Sequence, residues 1–146
     1  RHYYFVQNMV VATRIKFGRI TPMRAGGFIP VEDRFFSGGA TSNRGWLRHE
    51  LGPQDAQGNP SGGNSLLECN LEFRIPLFGS FRSALFWDFG NVWRNEPIYQ
   101  WDEIRHALGL GLRFETPIGP VRLDVARPVY DEETHYRWHL TIGQAF

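Results

Sequence analysis

Segment after segment of this chain alternates apolar and polar side chains with a period of two, which makes the β-strand its repeating unit. Val11, Thr13, Ile15 and Phe17 alternate with Ala12, Arg14 and Lys16. Leu67, Cys69, Leu71, Phe73 and Ile75 alternate with Glu68, Asn70, Glu72 and Arg74. The same pattern runs through Leu85–Phe89, Leu108–Phe114, Val121–Val125 and Tyr136–Ile142, with the stump of a further strand at His2–Val6. None of the apolar-face positions within these segments carries a charge. The other face mixes glycine, alanine and charges of both signs, the character of a crowded wet interior and not of a Lys/Thr-rich solvent face. An all-β antiparallel transmembrane barrel fits that pattern better than a soluble sandwich.

The connections agree. Gln7–Asn8, Pro76–Ser80 and Thr116–Pro120 are tight and mostly Pro/Gly-punctuated, whereas Thr21–Asn64, Arg94–Glu103 and Pro128–Thr134 are longer. Short and long connections alternate, as they do in outer-membrane barrels with short periplasmic turns and long outer loops. About six strands and a stump cannot close a membrane barrel, which needs about eight, and open strand edges are not tolerated in hydrocarbon. Residues 1–146 therefore read as the C-terminal portion of a larger barrel.

Composition removes other classes. Twelve Phe, 5 Trp and 5 Tyr are too much aromatic surface for a disordered chain. A net charge of +1 points neither to nucleic acid nor to an acidic tail. One cysteine, Cys69, excludes an intrachain disulfide.

The longest connection, 21–64, carries Arg34-Phe35-Phe36-Ser37-Gly38-Gly39 followed by Asn43-Arg44-Gly45-Trp46. A loop of that length without helical periodicity is usually functional or disordered, and its aromatics and glycine pairs favour an ordered, turn-rich form. The run resembles the hallmark of the sixth extracellular loop in the BamA/TamA family, bacterial outer-membrane assembly factors with POTRA domains. Further stretches match in order: Gly62-Gly63-Asn64 before a strand holding Glu72; Phe86-Trp87-Asp88-Phe89-Gly90-Asn91-Val92-Trp93; Gly119-Pro120-Val121-Arg122-Leu123-Asp124; and the terminal Gly143-x-x-Phe146. Asn43 and Trp46 depart from the family's more usual Val before the Arg and Phe or Tyr at the end.

The resemblance implies about the last six strands of a barrel of about sixteen. It implies that residues 21–64 form an extracellular loop folded into the lumen. There the motif residues Gly38, Gly39, Arg44, Gly45 and Trp46 would place Arg44 against Glu72 and Asp88. The alternation independently puts both carboxylates on the polar face, and a guanidinium fork can serve two acids at once. Residues 135–146 would form the terminal gate strand, with Trp138, Leu140, Ile142, Gly143 and Phe146 as its assembly signal. The implied function is non-enzymatic insertion of outer-membrane proteins through a lateral gate. The alternatives are a two-partner secretion transporter passing an unfolded exoprotein, or a plain structural barrel or pore. The implied partners are outer-membrane lipid, the upstream barrel strands and POTRA domains, and nascent outer-membrane or secreted proteins. The implied location is the outer membrane of a Gram-negative-type bacterium or a related organelle membrane. No cofactor, metal, nucleic acid or catalytic residue is implied.

Catalytic motifs fail on spacing. His135 and His139 are ~13 Å apart on a strand, too far to share a metal. The adjacent Glu132 and Glu133 do not complete a His-Glu-x-x-His pattern. Gly109-Leu110-Gly111 has Phe114 where a dinucleotide loop needs its third glycine. Ser37 and Ser42 lack the Gly-x-Ser-x-Gly setting of a nucleophile.

Overall fold

The alternation resolves into one seven-stranded antiparallel sheet in the computed structural model, which describes residues 1–24, 27–94, 100–117, 119–129 and 135–143. The strands are β1 (His2–Val6), β2 (Met9–Arg19), β3 (Ser65–Pro76), β4 (Phe81–Trp93), β5 (Arg105–Phe114), β6 (Val121–Val129) and β7 (Arg137–Ile142). Each pairs with its neighbour in chain order, so the sheet is a meander with β1 and β7 at its edges and is not closed on itself. The N-terminal stump is thus a paired strand, with Tyr3 opposite Ala12 and Val6 opposite Met9.

The register stacks residues of like phase into continuous rows. One row runs Ala12, Glu72, Phe86, Gly109, Ala126, and the next runs Arg14, Asn70, Asp88, Ala107, Pro128. These rows lie on the buried face, where Ala12, Glu72, Asp88 and Ala107 are wholly covered. The opposite face holds Ile15, Phe17, Leu110, Trp138 and Leu140, all well exposed. An antiparallel sheet in water buries its apolar face; here the apolar face is the open one, as lipid contact requires.

Aromatic side chains mark both margins of that outer face. Near the short turns, Phe81 packs on Phe78 and Phe114 with ring centroids 5.1 and 4.8 Å apart. Toward the long connections, Trp87, Phe89 and His106 form a second cluster at 4.8–5.8 Å. Along β4, Phe81 and Phe89 are separated by roughly 26 Å of strand. A tilt of ~40° reduces that to roughly 20 Å across the bilayer, close to the ~25 Å apolar band between aromatic girdles.

Some strand limits differ from the alternation pattern: Pro76, expected to open the turn to β4, ends β3 opposite Arg82. Pro128, expected to open a loop, lies within β6 opposite Ala107. It fits because, among the described residues, the β6–β7 ladder ends at Ala126 and Arg137, so Pro128 lies past the last rung of that ladder. Tyr136, expected at the start of the last strand, precedes β7.

Candidate functional site: a loop arginine clamped to the buried face

The loop between β2 and β3 is ordered by its own backbone. Phe35 and Gly63 exchange two backbone hydrogen bonds, of 2.8 and 3.0 Å, which close its base. Arg34 donates to the carbonyls of Ile29 and Ser61 at 2.9–3.0 Å, a use of guanidinium that ties loop segments together without an acid. At the motif, Gly38 and Gly39 have φ near +100°, a conformation that side chains resist. They start a compact turn in which Gly39 N–H donates to the carbonyls of Asn43 and Trp46.

That turn presents Arg44 to the sheet. Arg44 is 1% exposed although it belongs to a loop. Its Nε and Nη2 donate to the two oxygens of Asp88 at 2.7 and 2.8 Å, and its Nη1 donates to Glu72 at 2.8 Å. Its backbone N–H also donates to Asp88, at 3.1 Å. One flat side of the guanidinium lies 3.4 Å from the centroid of Phe86. Phe86 in turn lies over Gly109, where any Cβ would overlap the ring. Burial works against the charge on Arg44, but Asp88, Glu72 and Asp124 more than offset it, so its pKa is raised above the ordinary range.

The structure thus brings together Arg44, Glu72 and Asp88, the three residues expected to meet. It places Gly45 against the Ala107 methyl and Pro128, so close that a Cβ would collide. Trp46 packs with Leu51 and Ala107. The unusual Asn43 is 2% exposed; its side-chain oxygen accepts from Gly45 N–H and its amide donates to the Arg105 carbonyl. It anchors the turn by hydrogen bonds where the family's more usual valine could only pack.

Several members of the site were not singled out by sequence. Asp124 lies 3.6 Å from Arg44 and also pairs with Arg113 and Arg122. Glu72 takes Arg74 and Arg113 as well, at 2.8 and 3.3 Å. Asn70 donates to Asp88 and to the Ser42 carbonyl, both at 2.7 Å. Glu68 accepts from Ser37 at 2.7 Å and from Ser42. On β7, the His139 Nε2 donates to the carbonyl of Arg44 at 2.9 Å, and Arg137 pairs with Glu50 of the loop at 3.3 Å. The only available signal was strand phase, which put Glu68, Asp124 and His139 on the polar face without saying what would meet them.

The expected terminal signal divides. Trp138, Leu140 and Ile142 point outward from β7, and Gly143 N–H donates to the Pro120 carbonyl at 2.8 Å. Phe146 lies outside the described residues.

Comparison with known proteins agrees with this architecture. Residues 1–146 match the Omp85 superfamily domain. The chain is 31% identical over 128 residues to the outer membrane protein assembly factor BamA of Nitratidesulfovibrio vulgaris, covering 82% of this chain and 16% of that protein. It is 26% identical over 136 residues to BamA of Neorickettsia risticii, covering 87% and 18%. The chain thus spans less than a fifth of the length of these relatives. Its fold superposes on BamA from Haemophilus ducreyi lacking POTRA domains 1–3 with a TM-score of 0.73 at 23% identity, covering 90% of this chain and 31% of that one. An outward apolar face, a meander of antiparallel strands and a family match over the full length place the chain in the bacterial outer membrane as part of a β-barrel. It belongs to the Omp85 superfamily.

Proposed function

We propose that this chain forms the last strands of an outer-membrane protein insertion barrel. In this reading residues 21–64 are an outer loop folded into the lumen, and residues 135–146 are one edge of a lateral gate. The chain acts without chemistry on its client: an exposed strand edge templates an incoming strand by backbone hydrogen bonding. The partners are the upstream strands and POTRA domains of the same protein and nascent outer-membrane proteins.

The observation that carries the reading is the Arg44 clamp. A plain pore has no need to bury a loop cation beneath Asp88 and Glu72 and to join the same loop to the last strand through His139 and Arg137. Two cross-links to β7 make the loop a device that sets the position of the gate strand.

Arg44→Ala tests this. Removing one partner of a buried pair costs ~3–5 kcal/mol, less where water reaches the site. The barrel is expected to fold, with a protease-sensitive loop and impaired assembly of a reporter barrel. Arg44→Lys rescues only in part, because an ammonium cannot serve both acids in one plane. A double-mutant cycle between Arg44 and Asp88 measures the coupling. Coupling near zero with unchanged assembly would remove the clamp from the mechanism.

A further inference from the structure

The outward face of β3 to β7 carries one charged side chain, Arg127. Along β6 it alternates with buried Ala126 and Pro128 and shares its phase with Leu123 and Val125, so it faces the lipid side. Among the described residues its guanidinium has no hydrogen bond and no ion pair. A charge on this face is costly unless it sits near the interface and finds an anion.

Its level in the membrane follows from the register. Arg127 stands opposite Leu108, and Leu108 opposite Trp87, which belongs to the aromatic cluster on the side of the long connections. Arg127 also lies two positions before the end of β6 at Val129. Arg127 thus sits one rung inside the Phe89–His106–Val129 row that marks the margin of the apolar band, and its long side chain can carry the guanidinium up to the depth at which headgroups begin.

Beside it is a groove of about 680 Å³ on the outer face of β5 and β6. Leu85, Leu108, Leu110 and Val125 line its length, and Tyr136 and Arg127 stand at its upper end. The groove is apolar along the strands and cationic at the rim, the polarity of one acyl chain below one acidic headgroup.

We propose that Arg127 and this groove form a binding site for a bilayer lipid with an anionic phosphate headgroup, in the leaflet on the side of the 21–64 loop. The guanidinium fork matches two phosphate oxygens, the Tyr136 hydroxyl can donate a further hydrogen bond, and an acyl chain fills the groove. The proposal rests on this face meeting lipid and is independent of any assembly role, so its failure leaves that role untouched.

The test is lipid retention by the intact membrane protein, read by native mass spectrometry in detergent with added phosphatidylglycerol or phosphatidylcholine. Wild type is expected to retain phosphatidylglycerol in preference, and Arg127→Leu to lower that retention about tenfold, the loss of one charge-assisted contact. Arg127→Lys should keep part of it. Arg127→Leu places an ordinary apolar residue on the lipid face, so its folding is not at risk. Equal retention by wild type and Arg127→Leu, or no preference for phosphatidylglycerol in wild type, would overturn the site. Competition by free inorganic phosphate as effective as that by the lipid would overturn the part assigned to the groove.

Discussion

Gly109 shows how a residue without a side chain can position one with the largest charge-bearing group. Its Cα–H face leaves space for the Phe86 ring, and the ring supports the guanidinium of Arg44 at 3.4 Å. Gly109→Ala is therefore expected to displace Phe86 and cost about 1–3 kcal/mol through overpacking. Limited proteolysis would show the 21–64 loop cleaved faster than in wild type, and the urea midpoint would fall. An unchanged midpoint and cleavage rate would mean that Phe86 has other room. Sequence could name Arg44, Glu72 and Asp88 because phase and motif both bore on them. It could not name Asp124 as a partner, because phase says which way a carboxylate points and nothing about which loop atom comes to rest above it. Asn43 was legible as a departure, but its role depended on the Arg105 carbonyl lying within 3.3 Å.

Strands were the most legible elements, because a period of two leaves one face for lipid and one for the interior. Their ends were less so. Pro128 reads as a breaker in any local argument, and, among the described residues, only the end of the β6–β7 ladder at Ala126 makes it acceptable inside β6. The two-face assignment can be measured along the outer rows. Leu110→Arg, at mid-strand, is expected to cost ~2–4 kcal/mol of folding stability in phospholipid vesicles, and Ile75→Arg, at the short-turn end of β3, only ~0–1 kcal/mol. Equal costs at the two positions would mean that this face does not cross a bilayer between them.

Taken as a whole, the chain is a sheet with an ordered loop lying across its buried side. Its orientation in the membrane is testable by labelling intact cells on a Cys69→Ser background. Ser80→Cys, in the exposed turn between β3 and β4, should resist an impermeant thiol reagent added from outside, whereas Gln57→Cys in the long loop should react. The opposite pattern would invert the barrel. That short and long connections alternate was plain from sequence. That the long one is fastened across the sheet to its last strand was not, since the two are about ninety residues apart in the chain and meet only through tertiary packing.

The hydrogen bond from His139 to the Arg44 carbonyl has a thermodynamic consequence. It uses the backbone of the same residue whose side chain grips Asp88 and Glu72, so a movement of Arg44 that breaks one contact weakens the other. Loop release and departure of β7 then share a single free-energy cycle. Whatever factor by which a freed strand favours a freed loop, a freed loop favours a freed strand by the same factor. In the insertion barrel proposed above, a client strand that competes for β7 would need no contact with the loop to release it, and a ligand that loosens the loop would need no contact with β7 to make that strand easier to capture.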